Sequence, residues 1–150
     1  MIKEVNHNEF LYSTDKAKLH LPYIHGFLKN SYWAKDISKE IVEKSIDNSV
    51  CIGIYHNERQ VGFARLITDF ATFAYLADVF VDEMYRGKGI SKSLMNFILS
   101  FDFFHGLRRI LLATLDAHLL YKQFGFQSLE RPDRYMEIQR KDMYSKRDHR

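Results

Sequence analysis

Cysteine is almost missing from this 150-residue chain, which has only Cys51. A lone cysteine forms no internal disulfide, and that fits a reducing compartment. Paired metal ligands are also missing, because the seven histidines are scattered without ligand spacing; no metal is expected. There is no Gly-x-Ser-x-Gly, the signature of one large hydrolase class. No uncharged apolar run reaches the roughly 18 residues of a membrane helix. The segment from Met1 to His7 lacks an apolar core and a small-residue cleavage site. These absences make a cytoplasmic protein without a membrane partner the expectation. With two prolines, Pro22 and Pro132, seven glycines, no linker and no repeat, the chain reads as a single unit over residues 1–140. The net charge of +3 resides in residues 140–150, which hold five Lys/Arg against two Asp/Glu. The remaining body is balanced, which argues against nucleic acid as a partner, and residues 141–150 read as a charged, frayed tail.

What is present is a chain that is 46% hydrophobic, long enough to bury a core. Phe10 to Ser13 reads as a strand. Pro22 suits the first turn of a helix carrying Tyr23, Ile24, Phe27 and Leu28 on one side. Ser38 reads as the N-cap of a second short helix with Ile41, Val42 and Ile46. A meander follows: strands Val50–Tyr55, Val61–Thr68 and Phe73–Val81, with turns at His56–Arg59 and Asp69–Thr72. Cys51 lies in the first of these and reads as a buried core thiol. After Gly89 the period changes, and Ile90, Leu94, Phe97, Ile98 and Phe101 mark a helical face. Arg109–Thr114 reads as a strand and Leu119–Phe124 as a helix ended by Gly125. Phe126–Leu129 and Arg134–Ile138 are expected as final strands. The predicted class is α/β (α+β), with a mixed, mostly antiparallel sheet flanked by helices.

Two segments carry chemistry. In Val79-Phe80-Val81-Asp82-Glu83-Met84-Tyr85-Arg86-Gly87-Lys88-Gly89-Ile90-Ser91 a strand ends, a glycine loop follows and a helix begins. Converging backbone N–H groups and the positive end of a helix favour a phosphate or diphosphate there, with Arg86 and Lys88 adding charge. The Walker ending and the dinucleotide spacing are both absent. Arg86 to Ser91 resembles the diphosphate motif of the GNAT N-acetyltransferase superfamily, with Arg86 and Gly89 matching and Ser91 standing where Gly or Ala is usual. The second segment, Asp116 to Phe126, is similar to the family's late motif: Leu120, Tyr121, Gly125 and Phe126 match. Asp116 stands where the family usually has Asn, and it is otherwise a candidate helix cap.

The resemblance covers about Val50 to Ile138. It implies a GNAT fold and acetyl-CoA as co-substrate, and it leaves a homodimer open. The implied activity is N-acetylation of a primary amine by direct attack. A small-molecule acceptor is the first expectation; a protein or peptide acceptor and a non-catalytic acyl-CoA-binding module are the alternatives. The residues implied for the cofactor are Val79, Phe80, Val81, Arg86, Gly87, Lys88, Gly89, Ile90, Ser91, Asp116 and Tyr121. Tyr121 is the expected acid for the leaving thiolate, and the Val79 amide the expected donor to the thioester oxygen. Asp78, an acid inside an apolar strand, is expected to be a water-mediated base or amine anchor, or otherwise a structural acid bonding backbone groups or Arg65; Asp69 is the second candidate. Strand alternation places Ala74, Leu76, Asp78 and Phe80 on one face. His25, Tyr32 and Trp33 are the candidate acceptor contacts, since aromatics beside a carboxylate hold a cation.

Overall fold

In the computed structural model, which describes residues 1–145, six strands form one sheet in chain order. Strand β1 (Glu4–His7) turns through Asn8 and Glu9, both at positive φ, into β2 (Phe10–Ser13). Two helices follow, α1 (Leu21–Leu28) and α2 (Lys39–Asp47). Pro22 sits in the first turn of α1, and the Ser38 hydroxyl accepts from the Ile41 amide at the start of α2. The meander is β3 (Val50–His56), β4 (Arg59–Thr68) and β5 (Phe73–Val81). Then come α3 (Ile90–Leu99), β6 (Arg109–Leu112) and α4 (His118–Lys122). Neighbouring strands are antiparallel except β5 and β6, which run parallel. The class and the flanking helices agree with the sequence reading.

The core lies in two clusters, one on each face of the sheet. On the first, α3 presents Leu94, Met95, Phe97 and Ile98 to Ile52, Ile54, Leu66, Ala74 and Leu76. On the second, α1 and α2 set Ile24, Leu28, Val42 and Ile46 against Cys51, Phe63 and Phe80. The Cys51 thiol is buried there and burial pushes its pKa up to about 11, so it is a packing residue and not a thiolate nucleophile.

Three expectations are corrected. Residues 126–129 and 134–138 are not strands: residues 127–140 are exposed throughout, so alternating apolar residues there find no face to bury. The 3-10 turn Pro132–Arg134 also breaks that segment. Strand β6 stops at Leu112, two residues early. Strand β1, which is exposed along its whole length, was not expected; it has no apolar alternation and forms by pairing with β2.

The fourth correction concerns alternation along β5. Phe63 pairs with Phe80 and Arg65 with Ala77, so three steps on β5 oppose two on β4. The extra residue is a β-bulge at Asp78, whose φ of 53° lies in the left-handed region. Ala74 and Leu76 therefore belong to the first cluster, whereas Phe80 crosses to the second. Asp78 and Phe80 do not continue the face of Ala74 and Leu76.

Candidate active site

Pairing between β5 and β6 ends at Leu76 and Leu112, yet β5 continues to Val81. The two strands thus part like a fork. Along the far half of β5, residues 77–81 have main-chain groups on that side without a strand partner. Such an edge hydrogen-bonds an extended chain that alternates donors and acceptors.

The fork opens beside the glycine loop. Asp82 caps the 3-10 turn Glu83–Tyr85 by accepting from the Met84 amide. Gly87 and Gly89 then adopt φ of 81° and 77°, and Gly89 is the residue before α3. At both glycines an added Cβ meets nothing within 4 Å, so the requirement is for backbone conformation and not for space. Among the described residues, no backbone hydrogen bond uses the amides of Gly87, Lys88 or Gly89. Those of Ile90, Ser91 and Lys92 are unpaired by position, in the first turn of α3. Ile90 is buried and anchors the helix, while Arg86, Lys88 and Gly89 are exposed. The Arg86 Nε donates to the Val81 carbonyl at 3.4 Å. A loop of free amides at a helix N-terminus, flanked by two cations, suits a diphosphate.

The other prong follows β6. Thr114, not Asp116, closes the turn that leads into α4: its hydroxyl accepts from the Ala117 amide at 3.0 Å. Asp116 is exposed, and no side chain caps α4. Tyr121 is 8% exposed, edge-on to Phe126 at 5.7 Å. Burial alone raises the pKa of its phenol. The chain turns back at Gly125, at φ 95°.

On the second face, the bulge carries a polar thread. The Asp78 carboxylate accepts from Arg65 Nε at 2.9 Å and from Trp33 Nε1 at 2.8 Å. Arg65 also donates to Ser49 Oγ at 2.9 Å. The ion pair is largely buried, with side chains 15% and 11% exposed. Of the two roles weighed for Asp78, the partner of Arg65 is the arrangement found. Asp69 accepts from the amides of Ala71, Thr72 and Phe73 and from the Thr72 hydroxyl, which holds its carboxyl below the usual range. It is a turn residue away from the fork.

Trp33 and Tyr32 meet edge to face at 5.1 Å and stay exposed, while Phe27 stacks on Phe80 at 3.8 Å. These rings border the bulge. The third candidate from this region, His25, hydrogen-bonds the Ile37 carbonyl at 2.9 Å through Nε2. The ring ties down the loop that carries Tyr32 and Trp33 and does not join them. The sequence reading named Arg65 only as a possible partner of Asp78 and Phe27 only as part of a helix face, and it missed Ser49. A lone arginine in an apolar strand, two residues after Phe63, was the available signal for Arg65.

The family model described as "Acetyltransferase (GNAT) family" matches residues 16–126. A solved protein from Xanthomonas campestris pv. campestris, assigned to the GNAT family, is 44% identical with a TM-score of 0.90, over 93% of this chain and 99% of that one. A Gibberella zeae protein named as an acetyltransferase is 28% identical over 141 residues, 79% of this chain and 80% of its own. A GNAT acetyltransferase from Elizabethkingia anophelis, solved with acetyl-CoA bound, is 17% identical at a TM-score of 0.63, over 90% and 91% of the two chains. That last likeness is one of fold. Family model, fork and loop agree: this chain belongs to the GNAT acetyltransferase family.

Proposed function

We propose that the protein transfers the acetyl group of acetyl-CoA to a primary amine, with a small molecule as the first expected acceptor. The observation that carries this reading is the unpaired edge of β5 leading straight into the amide-lined loop before α3. The residues present fit the co-substrate. Backbone groups of Val79, Phe80 and Val81 would meet the amides of the pantetheine arm, and the amides from Gly87 to Ser91, with Arg86 and Lys88, the diphosphate. The Phe80 ring is committed to the second cluster, so its part here is main chain only. Asp116, exposed at the opposite prong, would border the same arm.

The thioester supplies an activated acetyl carbon. The Val79 amide, turned by the bulge, would face the carbonyl oxygen on which charge develops. The amine attacks, the C–S bond breaks, and Tyr121 holds a proton for the departing sulfur, whose conjugate acid has a pKa near 8.5. Burial raises the Tyr121 pKa, which keeps that proton in place at neutral pH. The amine must arrive neutral. A lysine-like amine at pKa 10.4 is about one part in 2,500 neutral at pH 7, so a route for its proton is required.

Asp78 is a weak candidate for that route, because Arg65 and Trp33 occupy both of its oxygens. Its assigned role is to fix the bulge and to hold Trp33, with Tyr32, at the acceptor side; His25 secures their loop. Water carries the amine proton away.

The test is an amine panel assayed by release of free thiol from acetyl-CoA, with Tyr121→Phe beside the wild type. Turnover with at least one amine is expected, together with a large loss of kcat in the variant while acetyl-CoA binding persists. Acetyl-CoA binding without turnover on any amine would leave the non-catalytic module standing instead.

A further inference from the structure

Helices α1 and α2 cover only part of the second face of the sheet. From the strands they meet Cys51, Phe63 and Phe80. Past the bulge the same face continues along β4, β5 and β6 with nothing over it. Ala74 and Leu76 pack in the first cluster, so Phe73, Tyr75 and Ala77 project from the opposite side. Register carries that side across the strands: Ile67 and Leu111 both lie opposite Tyr75, and Arg109 lies opposite Phe73. Ile67, Phe73, Tyr75, Ala77 and Leu111 belong to neither core cluster, and none of them is buried.

These residues make an apolar floor that starts at the bulge. Ala77 and Asp78 stand at its near end, next to the Val79 amide, and Trp33 borders that end through its bond to Asp78. Phe73 and Arg109 mark the far end. The two ends are four residues apart on β5, about 13 Å at the rise of an extended strand.

The ends differ in charge. At the near end Arg65 and Asp78 neutralise each other and Trp33 takes the other carboxylate oxygen, so that carboxylate is not free to hold a second ammonium. At the far end Arg109 is exposed, and among the described residues no carboxylate pairs with it. The Tyr135 ring centre lies 5.3 Å from its guanidinium, a contact that uses none of its N–H donors. An apolar track leading away from the reacting carbon therefore ends on an unpaired cation.

Building on the acetyl-transfer reading above, we propose that the acceptor is a primary amine on an elongated apolar body that ends in a carboxylate. The amine sits at the bulge, the body lies over Tyr75, and the carboxylate meets Arg109, whose fork suits it. A polyamine brings the wrong charge to Arg109. An α-amino acid, with both charges on one carbon, does not span the floor. The chemistry is unchanged: the C–N bond forms, the C–S bond breaks, the amine's proton leaves through water and the thiolate takes the proton of Tyr121.

Thiol release from acetyl-CoA tests this with four acceptors of one chain length: ω-aminooctanoate, octylamine, α,ω-diaminooctane and α-aminooctanoate. The first should give the highest kcat/KM, about fivefold above octylamine, the size of one partly exposed ion pair. The diamine and the α-isomer should fall below octylamine. In Arg109→Gln the advantage of ω-aminooctanoate over octylamine should vanish, and in Arg109→Lys most of it should remain. Tyr75→Ser should raise KM for both of these acceptors, roughly tenfold, with kcat nearly kept, because the floor supplies binding and not chemistry. Rates that do not favour ω-aminooctanoate, or a preference that survives Arg109→Gln, overturn the proposal and leave acetyl transfer standing. Turnover confined to amines outside these four does the same. A protein that binds acetyl-CoA and releases thiol with no amine at all overturns the acetyl-transfer reading, and this inference with it.

Discussion

The two faces of the sheet are built from different materials. The first, under α3, is chiefly apolar: Leu94, Met95, Phe97 and Ile98 meet aliphatic strand residues and the Tyr12 ring, and the helix N-terminus lies at the fork. The second, under α1 and α2, is threaded by Ser49, Arg65, Asp78 and Trp33, which run from the end of α2 to the exposed aromatic pair. One face holds a loop by packing and the other holds a loop by charge. The difference matters because apolar packing tolerates truncation gradually, whereas a buried ion pair fails when one partner goes.

The largest effect should come from breaking the charged thread. Arg65→Leu leaves the Asp78 carboxyl without its ion-pair partner, with only Trp33 donating to it, in a site that is mostly out of solvent, and should cost about 3 kcal/mol in urea unfolding. Arg65→Leu/Asp78→Asn should recover much of that, since asparagine tolerates the left-handed backbone and still accepts from Trp33. Trp33 is the only tryptophan, so its fluorescence reports directly on this side. An unshifted emission spectrum in Arg65→Leu would show that the thread does not hold the ring.

Next in size is the acid proposed at Tyr121. Tyr121→Phe keeps the packing against Phe126 and removes only the proton, so kcat should fall roughly 100-fold with acetyl-CoA affinity nearly unchanged. Equal rates would take Tyr121 out of the mechanism. On the loop itself, Gly89→Val forces a β-branched residue to a φ of 77° at the start of α3. That strain, about 1–2 kcal/mol, should weaken acetyl-CoA binding on the order of tenfold by calorimetry, without shifting Trp33 emission.

The first face was legible in the sequence because its signals are local. Gly87, Gly89 and the helical run from Ile90 lie within a few residues of one another, and Leu120 to Phe126 likewise. The second face was only half legible. Asp78 was singled out and Arg65 named as a possible partner, but the bulge that swings Asp78 and Phe80 off the face of Ala74 and Leu76 comes from a register shift against β4. Alternation along one strand carries no trace of that shift. His25 is an expected acceptor contact whose Nε2 meets the Ile37 carbonyl in the structure, and an aromatic near a cleft looks the same in sequence whether it faces the cleft or braces a loop. Residues 127–140 failed as strands for a different reason: their apolar pattern is present, and no surface within the monomer receives it.

The smallest expected effect is a gain. Tyr55, on the second face, stacks its ring over Gly53, where an added Cβ would sit only 2.1 Å from the phenolic oxygen. That oxygen is the one buried side-chain polar atom without a partner among the described residues. An unpaired buried hydroxyl costs about 1–3 kcal/mol, so Tyr55→Phe should stabilise the fold by about 1 kcal/mol at pH 7. Its pH dependence sharpens the point. Burial, with Asp15 and Glu4 nearby, raises the phenol pKa in the folded state, so above pH 10 the unfolded chain loses this proton while the folded one keeps it. The folded state then binds more protons, and stability falls as pH rises. Tyr12, Tyr23 and Tyr121 act in the same direction. Urea midpoints should hold steady from pH 7 to 9 and drop beyond 10, and Tyr55→Phe should drop less steeply than wild type. Parallel curves would mean that the Tyr55 hydroxyl is solvated in the native protein, and the gain at pH 7 should then vanish with it.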